Sequence, residues 1–326
     1  MSSGDPFESM RLRLASVQRS LSWNPADSGW TARARAAVSD AVGVVNEPWP
    51  DPVLHMGDST SADGYRRIRV EFPSHAGWDA RGWLMIPDGV KAQSPAVVCL
   101  PGHGAGVDEI VGLTAATYHA DFALQSVREG WVTLAVEQIS FGSNRSSREV
   151  NGQSSCTIDS MAALLLGETM TGWRVRDASA GRRALSTLPE VDPARIGVIG
   201  ISGGGLTTLW SAALDPEFLA AGVSGYFCPM FQSIMNVAHC PDNYVPGFGL
   251  LMDIPDLAGL IAPRWLAVEN GTLDTIFTKE GFKQACELAE QIYAKSPERF
   301  TSDLFEGDHV FNGRKILPHF HKAFAR

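Results

Sequence analysis

Five short and nearly continuous apolar segments constrain the fold of this chain more than any other feature. They are residues 96–100 (AVVCL), 131–136 (WVTLAV), 195–200 (RIGVIG), 219–226 (LAAGVSGY) and 264–270 (RWLAVEN). Segments of this kind are typical of strands that are buried on both faces, as in a parallel sheet. Strands that alternate with helices wind into a sheet covered on both sides. We therefore predict an α/β fold with a mostly parallel central sheet and helices on both faces.

Two of the stretches between or after these segments have the spacing of an amphipathic helix. The first apolar stripe is Leu206, Leu209, Trp210 and Ala213, and the second is Phe282, Cys286, Ala289, Ile292 and Tyr293. Side chains at such intervals share one face of a helix and can cover one side of a sheet. The alternation of strand and helix therefore continues into the C-terminal part of the chain.

The chain before this alternation has a different pattern. Residues 1–60 are predicted to be helical, with candidate helices in 7–21 (FESMRLRLASVQRSL) and 30–42 (WTARARAAVSDAV). From Tyr65 onwards apolar and polar residues alternate, which predicts an antiparallel hairpin. We therefore expect a helical N-terminal extension, residues 1–60, and a main domain, residues 61–326.

Within the main domain, residues 228–260 follow neither the strand period nor the helix period. Residues that interrupt regular structure occur at Pro229, Pro241, Pro246, Gly247 and Gly249. Irregular insertions of this length in a compact domain are usually functional. We expect the insertion to form a cap or one wall of a site.

The sequence GISGGG (200–205) places one serine among four glycines, directly after ARIGVI (194–199) and before the stripe that begins at Leu206. G-x-S-x-G at a turn from strand to helix is the signature of a nucleophile elbow, which exposes the serine hydroxyl above the sheet. Gly200 and Gly204 lack a Cβ atom and permit a tight turn. The N-terminus of the following helix would stabilise negative charge near Ser202. Ser202 is therefore the candidate nucleophile.

A serine nucleophile needs a base to accept its proton. In a fold with this elbow the order along the chain is serine, acid, histidine, and four histidines follow Ser202. His319 and His321 fit the surface of a C-terminal helix, and His239 lies in the irregular insertion. His309 follows a predicted strand in a polar loop (FEGDHVFNG), where a base at the edge of a sheet is expected. His309 is therefore the candidate base.

The base in turn needs an acid that orients it, and this acid is expected in the loop after the segment 264–270. Asp274 lies there (NGTLDTIF), behind a glycine that permits a turn. An alternative interpretation is that Asp274 caps a helix that begins near Thr278. Glu269 is a competing carboxylate, but it lies at the end of the strand itself. Asp274 is the candidate acid.

An oxyanion hole would complete this constellation. Its first donor is expected to be the backbone N–H of Gly203, the residue after the nucleophile, and its second an N–H of the loop after the segment 96–100. That loop reads PGHGAG (101–106), so His103 or Gly104 would supply the second donor. The alternative is a turn that only ends the strand.

From about Tyr65 to its C-terminus the chain resembles the α/β-hydrolases of the dienelactone hydrolase and acetyl xylan esterase-like group. The resemblance rests on LPGHG, EVDPARIGVIGISGGGLTTLWSAALDP, HCPDNYVPG, DIPDLAGLIAPRWLAVENGTLDTIF and FEGDHVFNG. It implies that the main domain is an α/β-hydrolase catalytic domain with Ser202 as nucleophile, Asp274 as acid and His309 as base. Dienelactone hydrolases carry a cysteine nucleophile, so their substrate is not transferred to this chain. Glu137 stands where relatives often have aspartate, which leaves the role of its loop open.

The expected activity is that of a serine hydrolase that cleaves a small, partly polar carboxylic ester through an acyl-enzyme intermediate. The resemblance implies an acetyl or similarly short acyl group. The insertion mixes polar and apolar side chains, as small-ligand pockets do, and His239, Asn243 and Tyr244 are its candidate substrate-binding residues. Alternatively, these side chains only satisfy backbone groups. Two other functions stay open: a hydrolase of carbon–carbon bonds with the same triad, and a non-catalytic hydrolase-fold protein that binds a small ligand.

The composition of the chain argues against several other classes of protein. The formal net charge of −9 and the lack of a basic cluster argue against nucleic-acid binding. No run approaches the roughly 18 apolar residues of a membrane span, and the N-terminus lacks the apolar core of a signal peptide. Five cysteines without a CxxC pair indicate neither a disulfide framework nor zinc. We expect a cytoplasmic enzyme without cofactor or metal that binds a small ester, either as a monomer or as a homo-oligomer.

Overall fold

A computed structural model describes residues 4–43, 47–115, 117–146 and 154–325 of the chain. The strands in this part of the chain are β1 (His55–Ala62), β2 (Tyr65–His75), β3 (Trp78–Pro87), β4 (Ser94–Leu100), β5 (Val132–Val136), β6 (Val191–Ile201), β7 (Ala220–Ser224), β8 (Trp265–Gly271) and β9 (Phe300–Phe305). The α-helices are α1 (Pro6–Ser16), α2 (Trp30–Val42), α3 (Val107–Ile110), α4 (Phe122–Arg128), α5 (Ser155–Leu165), α6 (Met170–Leu185), α7 (Gly203–Leu214), α8 (Phe248–Leu251), α9 (Ala258–Ile261), α10 (Lys279–Ile292) and α11 (Ile316–Phe324).

The strands form one sheet in the order β1-β2-β3-β5-β4-β6-β7-β8-β9. The pairs from β1 to β3 are antiparallel, as is the pair of β3 with β5. All pairs from β5 to β9 are parallel. The carboxyl ends of the parallel strands therefore meet at one edge of the sheet, which is where ligands bind in open α/β folds. The predicted mostly parallel sheet is confirmed.

Successive residues of the central strands belong to two different apolar cores. In β4, Val98 packs in the core that also contains residues of α6 and α7, whereas Val97 and Cys99 pack in the core that contains residues of α4 and α11. All three side chains are fully buried. A strand covered on both faces carries apolar residues at nearly every position. This explains the continuous apolar runs and confirms that helices cover both faces.

The two helices predicted near the N-terminus are present as α1 and α2. Trp30, Ala34 and Val38 of α2 are buried in the main core, so this part of the chain packs directly on the main domain. The helical prediction was wrong for residues 55–60, which belong to the edge strand β1. Almost every residue of β1 is exposed, so its sequence carries neither the strand period nor the helix period.

Helix α6 was not predicted, because its sequence lacks an apolar stripe. Most of the helix is nevertheless buried, including the charged residues Arg174, Arg176 and Asp177. Charged side chains are rarely buried unless they are paired. A sequence with this many charged residues therefore predicts an exposed segment. Only the structure shows that the segment is buried, because it shows the groups that pair with these charges.

The irregular insertion, residues 228–260, is built from short helical turns around α8 and α9. The 3₁₀ turns in it are Met230–Gln232, Pro241–Asn243 and Ile254–Leu257. Among the described residues, no single helix has the length and apolar composition needed to cross a membrane. The segments Pro241–Leu251 and Ile254–Ile261 reach that length and composition only when taken together, and the chain bends by 81° between them.

Candidate active site

Ser202 lies at the turn from β6 to α7, at the carboxyl edge of the sheet. Its φ of 57° and ψ of −121° belong to neither helix nor strand, a strained conformation for a residue with a side chain. A Cβ atom on Gly204 would overlap the carbonyl oxygen of Leu100, and one on Gly200 would overlap the carbonyl group of Gly204. The glycines of the motif thus permit a backbone that holds the serine side chain at the sheet edge.

His309 and Asp274 meet after the last two strands of the sheet. His309 Nδ1 lies 2.6 Å from Asp274 Oδ2. Asp274 Oδ1 accepts hydrogen bonds from the backbone N–H groups of Ile276 (2.8 Å) and Phe277 (3.0 Å). The carboxylate therefore keeps the proton of His309 on Nδ1 and leaves Nε2 to accept another. Among the described residues, His309 Nε2 has no hydrogen-bond partner, and it lines the same cavity as Ser202.

Gly225 sets the position of the His309 ring and was not identified from the sequence. It follows β7 with a φ of +55°, and a Cβ atom on it would lie 2.7 Å from His309 Cε1. Its N–H donates to the carbonyl oxygen of Glu269 at 2.9 Å. Any side chain at position 225 would therefore displace the ring. The only sequence signal was a glycine at the end of an apolar segment.

Glu269, the competing carboxylate, does not contact the imidazole. It accepts hydrogen bonds from the N–H groups of Asn312 (2.8 Å) and Gly313 (2.9 Å). Burial raises the pKa of Glu269 to about 7, against the lowering effect of these hydrogen bonds. Its observed role is to anchor the loop that follows His309.

The two C-terminal histidines lie outside the cavity that holds Ser202. His319 is buried, and its Nε2 lies 3.1 Å from the carbonyl oxygen of Arg299. The surface position expected for it was therefore wrong. His321 is exposed and lies 2.6 Å from a carboxylate oxygen of Glu129.

The N–H groups of Gly203 and His103 are available to an oxyanion. In the described part of the chain, neither donates to another protein atom. His103 lines the cavity together with Gly203, and its Nδ1 would lie 3.0 Å from a Cβ atom on Gly203. Gly104 is not among the lining residues, and its carbonyl oxygen accepts from Arg145 at 3.1 Å. Of the two candidates for the second donor, the geometry favours His103.

Tyr118 is a site residue that sequence reasoning missed. Its hydroxyl donates to the carbonyl oxygen of His103 at 2.8 Å and also contacts the Ser202 side chain. Its ring stacks on His309 with the centroids 5.5 Å apart. Burial raises the pKa of Tyr118, so its hydroxyl stays protonated and remains a donor. No local motif marks this tyrosine, because it reaches the site from an irregular segment.

These groups open onto a cavity of about 410 Å³. It is lined by His103, Tyr118, Ser202, Gly203, Val237, Ala238, His239, Cys240, Asn243, Ile276, Phe277 and His309. Two of the three candidate substrate-binding residues, His239 and Asn243, are therefore at the cavity. The structure does not bring Tyr244 to the lining: it is partly exposed, and its hydroxyl donates to the carbonyl oxygen of Ile234 at 3.4 Å.

A buried charged network supports the insertion side of the cavity. Asp242 forms an ion pair with Arg174, lies 3.1 Å from His103 Nε2 and accepts from Asn243 Nδ2 at 2.7 Å. Burial would raise the pKa of Asp242, but Arg174 and His103 hold it well below its usual range. Burial would lower the pKa of His103, but its contacts with Asp242 and with Cys156 raise it to about 9. The network therefore fixes Asn243 at the cavity wall.

Glu137 holds the loop after β5, whose role was left open by the sequence. It accepts from the N–H groups of Val107 (3.1 Å) and Ser143 (3.2 Å). Gly106 and Gly142, both with positive φ, pass so close to the carboxylate that a Cβ atom on either would overlap it. Burial raises the pKa of Glu137 to about 7. Its contacts are those of a structural residue that joins two loops beside the site.

The profile of one protein family matches residues 24–302, most of the chain. The chain belongs to the Abhydrolase family. Among curated proteins, this Abhydrolase family member is similar to "Putative hydrolase YtaP" of Bacillus subtilis (strain 168), with 26% identity over 224 residues, which are 66% of this chain and 72% of that protein. The chain is thus an α/β-hydrolase, as its motifs predicted.

Solved structures show the same fold at low sequence identity. "A putative acetyl xylan esterase" from Bacteroides fragilis NCTC 9343 has a TM-score of 0.80 and 17% identity, with 98% of this chain and 94% of that chain covered. A glucuronoyl esterase from Solibacter usitatus has a TM-score of 0.65 and 14% identity, with 95% and 98% covered. Acetyl xylan esterase 1 from Thermoanaerobacterium sp. JW/SL YS485 has a TM-score of 0.60 and 15% identity, with 96% and 98% covered. The likeness to the acetyl xylan esterase-like group is therefore confirmed for the fold.

Proposed function

We propose that this Abhydrolase family member cleaves a small, partly polar carboxylic ester through an acyl-enzyme intermediate. In this proposal Ser202 is the nucleophile, His309 the base and Asp274 the acid that orients it. The observation that carries the proposal is the 2.6 Å contact between Asp274 and His309 at the cavity that Ser202 lines. The names of the structural neighbours, acetyl xylan and glucuronoyl esterases, support an ester as the bond that is cleaved.

In the first half of the reaction, His309 Nε2 accepts the proton of the Ser202 hydroxyl as its oxygen attacks the ester carbonyl carbon. Asp274 stabilises the imidazolium that forms, because its carboxylate is already hydrogen-bonded to Nδ1. The N–H groups of Gly203 and His103 donate to the developing oxyanion. His309 then gives its proton to the leaving alcohol, and the acyl group remains on Ser202.

In the second half, His309 Nε2 accepts a proton from a water molecule that attacks the acyl-enzyme. The same N–H groups stabilise the second tetrahedral intermediate, and the proton returns to Ser202 as the acid product leaves. Tyr118 supports both steps, because its hydroxyl holds the His103 carbonyl group and contacts Ser202. Preorganised donors of this kind need no rearrangement when the charge develops.

The lining of the cavity supports a compact substrate. Its volume of about 410 Å³ lies near the lower end of the range for small-molecule sites. The apolar part comes from Val237, Ile276 and Phe277, and the polar part from His239 and Asn243. We expect kcat/KM to fall steeply from acetyl and butyryl to decanoyl p-nitrophenyl esters. A preference for decanoyl esters in this series would contradict the compact substrate.

The nucleophile is tested with Ser202→Ala. We expect this variant to lose ester hydrolysis by on the order of 10⁶-fold in kcat and to form no adduct with a serine-reactive phosphonate, as measured by intact mass. Its thermal unfolding should change little, because one hydroxyl is removed without creating a cavity. Ser211→Ala is the matched control, since it removes a buried hydroxyl from α7, the helix that follows Ser202.

Two results would overturn this proposal. Adduct formation by Ser202→Ala would show that another residue is the nucleophile. If the natural chain neither forms the adduct nor cleaves any short ester, it is a ligand-binding member of the family instead.

A further inference from the structure

Four side chains that can bind a metal ion meet beside the catalytic cavity. They come from three parts of the chain: His103 from the loop after β4, Cys156 from α5, and Cys240 and Asp242 from the insertion. Their ligand atoms all lie within 4.8 Å of one another. His103 and Cys240 also line the cavity.

We propose that these four side chains form a zinc site. Two thiolates, one imidazole nitrogen and one carboxylate oxygen are all ligands that tetrahedral Zn²⁺ accepts. Four protein ligands leave no open position for a water molecule, so the site is structural rather than catalytic. This zinc site does not depend on the proposed esterase activity, since none of its ligands belongs to the proposed triad.

The distances between the donor atoms are close to the edges of a zinc tetrahedron. His103 Nε2 lies 3.1 Å from Asp242 Oδ2 and 3.7 Å from Cys156 Sγ. Zn–N, Zn–O and Zn–S bonds of usual length predict edges of about 3.4 Å for the nitrogen–oxygen pair and about 3.6 Å for the nitrogen–sulfur pair. The limit of 4.8 Å for the whole cluster exceeds the edge between two thiolates, about 3.8 Å, by about 1 Å. Small side-chain movements therefore suffice to close the site.

The donor types select among metals. Ca²⁺ and Mg²⁺ prefer oxygen ligands, six or more for Ca²⁺ and an octahedron for Mg²⁺. Asp242 is the single carboxylate of the cluster, whereas two ligands are sulfur. Thiolate and imidazole ligands together favour Zn²⁺.

The charge of the site balances when zinc is bound. Arg174 is buried and paired with Asp242, and its second terminal nitrogen lies 3.7 Å from Cys156 Sγ. Zn²⁺ and the guanidinium together carry three positive charges, and two thiolates with Asp242 carry three negative ones. A buried cluster with no net charge avoids most of the cost of burying single charges.

Binding displaces protons to the solvent, as at all thiolate sites. The two thiols each lose one, and His103 must offer Nε2 as a lone pair. The ring orientation suits this, because Nε2 faces Asp242 and Cys156 while Nδ1 lies against Gly203. The proton on Nδ1 would then stay on the cavity side. Zinc would thus fix the loop of the second oxyanion donor to α5 and to the insertion.

The test uses the full chain, kept reduced, stripped with a chelator and titrated with ZnCl₂ alone. We expect one Zn²⁺ per chain by calorimetry and by metal analysis after gel filtration, together with a higher unfolding temperature. Co²⁺ in place of Zn²⁺ should give the charge-transfer absorption of thiolate ligands. No stoichiometric binding by the natural chain would overturn the proposal, whatever the variants do.

Cys240→Ser removes one ligand at a half-buried position, where the substitution should have little effect on folding. We expect its Zn²⁺ affinity to fall by more than the roughly 10–100-fold that loss of an outer-shell partner costs. The cobalt absorption should weaken, and the circular dichroism spectrum should be unchanged. Cys286→Ser is the matched control, because Cys286 is a buried free thiol in α10 outside the cluster. Equal zinc affinity in Cys240→Ser and Cys286→Ser would show that the metal binds elsewhere.

Discussion

The two sides of the cavity that Ser202 lines are built in different ways. One side, here called the triad side, carries the proposed triad of Ser202, Asp274 and His309, each placed at or beyond the carboxyl end of a strand. The insertion side consists of residues 237–243, which rest on the ion pair between Asp242 and Arg174. The first side is thus positioned by a regular sheet, and the second by one buried charged network.

This difference determines what each side tolerates. Asp274 keeps two backbone hydrogen bonds whatever happens to its partner, so a change there should alter chemistry more than stability. Asp242 depends on Arg174 and His103 for the charge it carries in a buried position. A change there should alter stability first, because an unpaired buried charge is costly. We therefore expect substitutions on the triad side to lower activity with little loss of stability, and substitutions on the insertion side to lower stability first.

The largest effect is expected from Asp274→Asn on the triad side. An amide at this position permits the wrong tautomer of His309, so kcat/KM for a short ester should fall by up to about 10⁴-fold. Thermal unfolding should be nearly unchanged. Glu269→Gln is the control, since Glu269 contacts backbone N–H groups and not the imidazole. If Glu269→Gln is the more damaging of the two, the acid has been misassigned.

On the insertion side, Arg174→Met should have the opposite signature. It leaves Asp242 buried without its ion-pair partner, and the free energy of unfolding should fall by about 3–5 kcal/mol in denaturant titrations. Arg33→Met, which removes the exposed partner of Asp27, should cost less than about 1 kcal/mol. Similar losses in these two variants would show that the buried network does not support the insertion.

The smallest effect is expected from Asn243→Ala at the cavity wall. Asn243 lines the cavity and is held by Asp242, so its loss should weaken substrate binding in the ground state and the transition state alike. KM should rise several-fold while kcat changes less. Tyr244→Phe, outside the lining, should change neither constant. A fall in kcat alone for Asn243→Ala would show that this residue acts in the chemical step rather than in substrate binding.

Much of the fold could be predicted because the central strands carry their own signal. Because β4 and β8 are buried on both faces, most of their residues are apolar, and such runs are visible without a structure. The edge strand β1 gave no such signal, since its side chains are exposed and its pairing uses the backbone. Helix α6 could not be predicted for the opposite reason. It is buried, but Arg174 and Arg176 interrupt its apolar pattern, and both pair with residues far away in the sequence.

By itself the sequence determined the sheet, the elbow around Ser202 and the candidates Asp274 and His309. These depend on local rules: apolar runs, glycines at a turn, and short loops after strands. Only the tertiary structure decided that Tyr118 and Gly225 belong to the site, that Tyr244 does not line it, and that His103, Cys156, Cys240 and Asp242 meet. These contacts join residues from separate elements, and their geometry depends on how the elements pack. The spacing of residues along the sequence does not predict the distances between residues of separate elements.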